Sequence, residues 1–310
     1  MLHGHGEVKE IALDLVVAGG GRMPVLLNAV LERGSGGEPR ITRYAVFDAS
    51  DRRRYEQELL LAKQRAEESE RRAVRLAQTL QQTLIPPADP DVPGLELATA
   101  YRPAGRGDEV GGDFYDVFQV ADDDWVVALG DVCGKGVEAA VVTSLVRHSV
   151  RALAVLETSP KALLHELNAL LLASESERFC TLVVMRLRRE PGGWRVTSSA
   201  GGHPMPLLLS PGRKPEPLGQ PGTFVGAFDD AYFDEASMLL TAGQSLFVHT
   251  DGVTEARQGA EFFGEARLLS ALAEPASVDE LVQRVLERVL EFQGQLPSDD
   301  VALLALRVPA

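Results

Sequence analysis

Apolar stretches in the first 51 residues alternate with glycine-rich turns. Residues 11–18 and 24–32 are separated by Gly19-Gly-Gly-Arg22, and residues 41–47 follow the turn Gly34-Ser-Gly-Gly-Glu-Pro39. Strands joined by short glycine turns predict an antiparallel meander. The glycine triplet is interpreted as a hairpin turn and not as a phosphate loop, because no helix start follows it.

Residues 51–84 have a different pattern, because they are charged and lack glycine and proline. Apolar or small side chains recur there at alternating spacings of four and three: Tyr55, Leu59, Ala62, Ala66, Ser69, Ala73, Leu76, Leu80 and Thr83. A mean spacing of about 3.5 residues predicts a coiled-coil seam, which would pair two copies of the chain. A single solvated helix is the alternative, because the other faces are charged. Pro86-Pro87 predicts the helix end.

Residues 85–310 combine apolar strand patterns with capped helices. Strands are predicted at 95–101, 125–130, 181–187, 194–199, 206–209, 245–250 and 301–308. Helices are predicted over 137–156, after the Ser159-Pro160 cap, and from the capping box Ser277-Val-Asp-Glu280 to Gly294. Strands outnumber helices and do not alternate strictly with them, so the pattern indicates an α+β fold and not a doubly wound parallel sheet.

Composition narrows the classes of function. The net charge of −14 argues against a nucleic-acid partner, since phosphate backbones require clustered basic residues. Two cysteines, Cys133 and Cys180, cannot form a disulfide framework and suit a reducing compartment. The sequence has no uninterrupted apolar stretch of the roughly 18–20 residues that a membrane span needs, and residues 1–6 do not resemble a signal peptide. We therefore expect a cytoplasmic protein with no membrane partner.

Four short acidic segments carry the candidate chemistry. They are Val110-Gly-Gly-Asp-Phe-Tyr-Asp116, Gly130-Asp-Val-Cys-Gly-Lys-Gly136, His249-Thr-Asp-Gly-Val-Thr-Glu255 and Pro297-Ser-Asp-Asp300. Three of them adjoin an apolar run, and strand ends hold side chains at fixed points. Sites that contain only oxygen ligands suit Mg²⁺ or Mn²⁺. The segments form a site only if the fold brings them together.

Other catalytic templates fit less well. Gly134-Lys-Gly136 resembles the end of a P-loop, but the first glycine of that motif is replaced by Leu129 and its hydroxyl residue by Gly136. Cys133 is a poor thiol nucleophile, because the neighbouring carboxylate of Asp131 works against formation of a thiolate. His203 stands between glycine and proline without a second histidine or cysteine nearby, which favours a turn or the rim of a site over a metal ligand.

Five segments, in chain order, resemble the motifs of the bacterial metal-dependent Ser/Thr phosphatases of the PP2C-like (PPM) family, in its stage-II-sporulation/sigma-regulator subgroup. They comprise residues 110–116, 130–136, 200–206, 249–255 with 261–264, and 298–306. Residues 7–54 resemble the C-terminal strands of a PAS sensor domain. The resemblance implies three domains: a partial PAS-like segment (1–51), a coiled-coil signalling linker (52–84) and a phosphatase domain (85–310).

The resemblance also implies a fold and a metal site. The fold is an αββα sandwich of two antiparallel sheets flanked by helices, with two Mn²⁺ or Mg²⁺ ions in a cleft. The metal ligands that it implies are Asp113, Asp131, the backbone carbonyl of Val132, Asp251 and Asp299, with Asp116 and Asp300 as accessory residues. The resemblance further implies that Asp113 and Asp131 act in catalysis through a metal-bridging hydroxide that attacks phosphorus directly, without a covalent phosphoenzyme.

Two positions depart from the family pattern. Cys133 stands where related eukaryotic-type enzymes have a histidine that protonates the leaving oxygen. Asp108 stands where they have a phosphate-binding arginine, and Arg102 and Arg106 are possible substitutes. We expect such a site to act slowly on generic phosphoesters and to depend on a protein substrate for positioning.

The leading hypothesis from the sequence is a protein phosphatase specific for phosphoserine and phosphothreonine. By resemblance, its substrate is a phosphorylated STAS-type anti-sigma-factor antagonist. Two alternatives stay open: a dimeric signalling adaptor whose metal site is vestigial, and a phosphoesterase that acts on small molecules.

Overall fold

The computed structural model describes residues 7–34, 36, 38–84, 90–104, 111–174, 176, 178–294 and 296–310, without the side chains of Pro39, Ala73 and residues 76–84. The chain divides into two compact units, Met1–Arg72 and Ala73–Ala310. The predicted helix stop at Pro86-Pro87, Arg106 and Asp108 lie outside the described residues.

The first unit contains the predicted antiparallel meander. Strands β1 (Glu7–Val16), β2 (Arg22–Arg33) and β3 (Pro39–Asp48) form one sheet in that order. The glycine triplet closes the first hairpin, where the Val17 amide donates to the Gly21 carbonyl at 2.8 Å. Helix α1 (Ser50–Leu84) follows. Tyr55 and Leu59 of the predicted seam are exposed in the single chain, and pairing of two chains stays a prediction.

The second unit contains two five-stranded antiparallel sheets. The first has the order β10-β9-β12-β15-β4 and the second has the order β11-β8-β7-β6-β5. The first-sheet strands are β4 (Glu96–Arg102), β9 (Leu207–Leu209), β10 (Glu216–Pro217), β12 (Ser245–His249) and β15 (Val301–Arg307). The second-sheet strands are β5 (Asp113–Ala121), β6 (Asp124–Val132), β7 (Cys180–Glu190), β8 (Gly193–Gly201) and β11 (Ala236–Leu240). A small hairpin joins β13 (Arg257–Gln258) and β14 (Glu261–Phe262).

Helices cover the outer faces of both sheets. The elements are α2 (Val137–Leu156), α3 (Pro160–Leu172), a single turn α4 (Asp251–Thr254), α5 (Gly264–Leu272) and α6 (Val278–Gln293). The predicted caps are confirmed. Ser159 accepts from the Ala162 amide at the start of α3, and the Ser277–Glu280 capping box opens α6, which ends at left-handed Gly294.

Strand periodicity distributes side chains into three apolar layers. Val127, Leu129 and Leu246 lie between the two sheets. Their neighbours in sequence, such as Ala128, face α2 and α3, while Phe247 faces α5 and α6. This is the predicted αββα sandwich. Helix α2 is long and apolar enough to cross a membrane by length and composition alone, but its buried side chains pack on the second sheet.

Candidate metal centre

Two aspartates stand opposite each other on neighbouring strands. Asp113 begins β5 and is paired in register with Asp131, near the end of β6. Directly opposed residues of an antiparallel pair point to the same face, so both carboxylates face the layer between the sheets. Asp251 approaches from the side of the other sheet, because it begins α4, the helical turn that follows strand β12. Ligand oxygens of these three aspartates lie within 4.8 Å of one another.

Thr250 connects this cluster to the other sheet. Its hydroxyl donates to Asp113 Oδ2 at 2.7 Å and accepts the Ala302 amide of β15 at 3.0 Å. Thr250 is fully buried, so both bonds are made away from water. The hydroxyl therefore fixes one oxygen of Asp113 relative to β15, which holds the carboxylate in a defined orientation.

Gly112 allows the chain to approach the end of β6 closely. A Cβ atom at this position would clash with the Val132 carbonyl oxygen and with Asp131 Oδ1. The Val132 carbonyl, a predicted ligand, is thus beside the Asp131 carboxylate. Larger residues are excluded at Gly112 because they would displace these two oxygens.

Burial and mutual repulsion raise the pKa values of the clustered carboxylates. The pKa of Asp113 is raised well above its usual range, first by burial and then by the charges of Asp131 and Asp300. Burial raises the pKa of Asp131 to about 7, with further contributions from Asp251 and Asp299. Burial also raises the pKa of Asp251. A divalent cation would offset this repulsion, and a set of oxygen donors fits Mg²⁺ or Mn²⁺.

Asp299 and Asp300 occupy different environments. Asp300 is buried, and it accepts the Ala104 amide at 2.7 Å and the Tyr101 hydroxyl at 3.0 Å. Asp299 lies nearer to solvent, where its Oδ1 accepts the Asp300 amide at 3.0 Å and lies 3.6 Å from Lys135 Nζ. Of the pair, Asp299 thus has the more accessible carboxylate, while Asp300 is held by neutral donors.

Asp116 lies on the opposite face of β5 from Asp113, because the two residues are three positions apart in a strand. Its buried carboxylate accepts Arg147 Nε at 3.0 Å and Arg151 Nε at 2.6 Å, both from α2. Arg151 also stacks over the Phe118 ring, 4.6 Å from its centroid. Asp116 thus attaches α2 to the strand that begins with Asp113. The acidic motif alone did not reveal this partnership.

His203 lies at the same end of the second sheet. Its Nδ1 is 2.9 Å from the Thr181 hydroxyl, and Thr181 is paired in register with Asp131. Burial, followed by the nearby His249, lowers the pKa of His203 to about 3. His203 is therefore a neutral, buried side chain that is joined through Thr181 to β7, the strand paired with that of Asp131.

The departures from the family pattern have distinct positions. Cys133 is exposed just after β6, whereas Cys180 is buried. Arg102 is the exposed last residue of β4. Sequence reasoning missed the hydrogen bond of Thr250 to Asp113 and the ion pair of Lys135 with Asp299. All of these residues belong to the acidic segments.

Comparison with known proteins identifies relatives of this chain. A model of the family described as stage II sporulation protein E (SpoIIE) matches residues 121–309. The chain is 29% identical to protein IcfG of Synechocystis sp. over 259 residues, a match that covers 73% of this chain and 40% of IcfG. It is 25% identical to the phosphoserine phosphatase RsbU of Bacillus subtilis over 238 residues, covering 76% of this chain and 69% of RsbU. The chain therefore spans less than half of the length of IcfG.

A solved structure supports the fold. The SiaA-PP2C domain of Pseudomonas aeruginosa matches with a TM-score of 0.61 and 19% identity, covering 80% of this chain and 98% of that domain. At this identity the likeness concerns the fold alone. It agrees with the two antiparallel sheets and flanking helices described above.

Proposed function

The chain belongs to the stage II sporulation protein E family, and from this membership we propose that it is a metal-dependent phosphatase of phosphoserine and phosphothreonine in proteins. The observation that carries the proposal is the cluster of Asp113, Asp131 and Asp251, whose oxygens lie within 4.8 Å of one another. Within the described part of the chain, these oxygens lie where the two sheets meet and would form a binding site for cations. The phosphoserine phosphatase RsbU, which matches most of this chain, supports the reaction class.

We propose ligand roles for individual residues. Asp113 and Asp131 would hold the cations from the second sheet, together with the Val132 carbonyl, while Asp251 and the more exposed Asp299 would hold them from the first. Two Mn²⁺ or Mg²⁺ ions, when bound, lower the pKa of a water molecule to supply the nucleophile, and they neutralise the phosphate. Thr250 would orient Asp113, through the hydroxyl that fixes one of its oxygens.

Asp116 and Asp300 would support the ligands without binding the cations themselves. Asp116 is engaged by two arginines on the far side of β5. Asp300 accepts hydrogen bonds from Tyr101 and Ala104. Both carboxylates would therefore position the elements that carry the ligands, and neither would bind a cation directly.

The substrate and the regulation are proposed from the resemblance. A phosphorylated STAS-type anti-sigma-factor antagonist in the cytoplasm is the expected substrate. Residues 1–51 would form part of a PAS-like sensor segment, residues 52–84 a coiled coil that pairs two chains, and residues 85–310 the phosphatase domain. The meander and the 35-residue helix α1 are compatible with this division.

Phosphate release from a phosphoserine-containing STAS protein tests the proposal. The full chain with Mn²⁺ should release phosphate, and Asp131→Asn should reduce the rate by at least about 100-fold, because a ligand is lost at the reacting centre. Asp230→Asn makes the same change of charge at an exposed position and should keep the wild-type rate. An Asp131→Asn protein as active as Asp230→Asn would contradict the proposed site.

The alternatives give different results. An adaptor with a vestigial site would show no Mn²⁺ binding at millimolar concentration or below by calorimetry. A phosphoesterase of small molecules would turn over a small phosphoester as fast as the phosphoprotein. The compact carboxylate cluster favours a working metal site over the adaptor.

A further inference from the structure

A short loop joins the candidate ligand strand β6 to helix α2, and it presents a lysine between two glycines. Gly134 and Gly136 have φ values of 99° and 92°, in the left-handed region that favours glycine. The loop is fixed at both ends, because Asp131 and Val132 lie in β6 and α2 begins at Val137. The backbone thus sets the direction in which Lys135 leaves the loop.

Arg178 braces this loop from the other side. Its Nη1 donates to the Cys133 carbonyl at 2.6 Å and its Nη2 donates to Glu138 Oε2 at 3.0 Å. A Cβ atom at Gly134 would come against the same guanidinium, and the φ angle of Gly134 also favours glycine there. The contacts of Arg178 therefore hold the loop in a defined conformation, and Lys135 projects from it.

Lys135 points towards the acidic cluster. Its Nζ lies 3.6 Å from Asp299 Oδ1, and Asp299 is close enough to contribute to the electrostatics of Asp131 and Asp251. Among the described residues, Lys135 is the one basic side chain that forms an ion pair with a proposed ligand carboxylate. The two side chains are 42% and 61% exposed, so the pair itself contributes little to stability and Nζ remains accessible from solvent.

We propose that Lys135 binds the phosphoryl group of the substrate, an inference that rests on the proposed phosphatase function. A phosphate monoester carries close to two negative charges, and it must enter a site made of carboxylates in a chain of net charge −14. A flexible ammonium group at the solvent edge of that site supplies opposite charge and up to three donors. The Nζ group would shift from Asp299 to a phosphoryl oxygen when Asp299 engages a cation.

The test uses the full chain loaded with Mn²⁺, and inorganic phosphate as the probe. Lys135→Ala should weaken phosphate binding, measured as an inhibition constant and by calorimetry, about 10- to 100-fold, as expected for one charge-assisted hydrogen bond. KM for the phosphoprotein should rise by a similar factor. Lys135→Arg, which keeps the charge, should stay within about threefold of wild type. Lys214→Ala, an exposed lysine in the turn between β9 and β10, controls for the change in net charge.

Mn²⁺ affinity separates this role from a structural one. Removing a competing cation beside Asp299 should leave the Mn²⁺ affinity of Lys135→Ala unchanged or tighter. The inference is overturned if Lys135→Ala binds phosphate as Lys214→Ala does, or if it loses Mn²⁺ affinity in proportion to phosphate affinity. These failures leave the proposed function intact as long as the wild type releases phosphate, whereas an inactive wild type would contradict the function itself.

Discussion

Thr250→Val is the perturbation that most directly probes how the site is held. Valine has nearly the shape of threonine, so the change removes the hydroxyl without leaving a cavity. The hydroxyl joins the Ala302 amide to Asp113 Oδ2 with bonds of 3.0 and 2.7 Å in a fully buried position. The variant therefore loses two hydrogen bonds at once, and each loss has a different consequence.

The two losses are similar in magnitude but differ in their dependence on cations. An Ala302 amide without its acceptor costs about 1–3 kcal/mol of the free energy of unfolding. A bond to an ionised Asp113 contributes about 1.5–3 kcal/mol, and this contribution applies to the charged carboxylate that holds a cation. Since 1.4 kcal/mol is tenfold, the second loss should weaken Mn²⁺ binding by about 10- to 150-fold.

Calorimetric titration with Mn²⁺ and urea unfolding of the cation-free protein measure the two effects separately. Ser199→Ala is the matched control, because its buried hydroxyl donates to the Asp234 carbonyl at 2.6 Å, away from the cluster. The control should lose stability but keep Mn²⁺ affinity. Wild-type Mn²⁺ affinity in Thr250→Val would refute the proposed orientation of Asp113.

Three further predictions follow from other parts of the unit. Asp116→Asn should lower the free energy of unfolding, measured in urea, by about 2–3 kcal/mol. This is less than the about 3–5 kcal/mol lost when a fully buried ion pair is broken, because Arg151 is 44% exposed. A loss below about 0.5 kcal/mol would contradict the role of Asp116 in attaching α2 to β5. Gly112→Ala should weaken Mn²⁺ binding at least about tenfold, since the new methyl group displaces Asp131 Oδ1 and the Val132 carbonyl, and calorimetry showing wild-type affinity would oppose this. His203 has a folded-state pKa of about 3, below its unfolded value of 6.5. The contribution of neutral His203 to the free energy of unfolding is therefore fully present above pH 6.5 and is lost as the pH falls towards 3. At pH 4.5 the loss is about 2–3 kcal/mol, and His203→Gln should remove it from the difference in urea stability between pH 7 and 4.5; an unchanged acid dependence would show that other groups dominate.

The elements predicted best have strong local signals. The caps at Ser159 and Ser277 and the left-handed Gly294 fix helix ends through hydrogen bonds between close neighbours in sequence, so the pattern alone located α3 and α6. Strand β5 was missed because it is buried on both faces and carries two aspartates, so it shows no alternation of polar and apolar residues. The hairpin of β13 and β14 and helix α5 were also not predicted, because these elements span only two, two and nine residues.

The site shows the same division between local and non-local information. Apolar runs beside the acidic segments marked Asp131 and Asp251 as candidates, whereas Asp113 was identified by its motif because β5 was not predicted. Antiparallel pairing places Asp113 opposite Asp131, and packing of the two sheets brings Asp251 to them. The partner of Asp116 depends on α2, which begins more than 20 residues later, and the partner of Lys135 depends on a residue of the loop before β15. Contacts of this kind follow from the packing of separate elements and are not encoded in a motif.

The central claim is that phosphate release by this chain depends on a bound divalent cation. The most direct test measures the rate of phosphate release before the cation is removed, after its removal and after its return. The full chain would be assayed on a phosphoserine-containing STAS protein with Mn²⁺, again after chelation with EDTA, and again after excess Mn²⁺ is restored. The proposed function predicts a rate that falls to background on chelation and recovers on restoration. A rate that survives complete chelation, or no release under any of the three conditions, would contradict it.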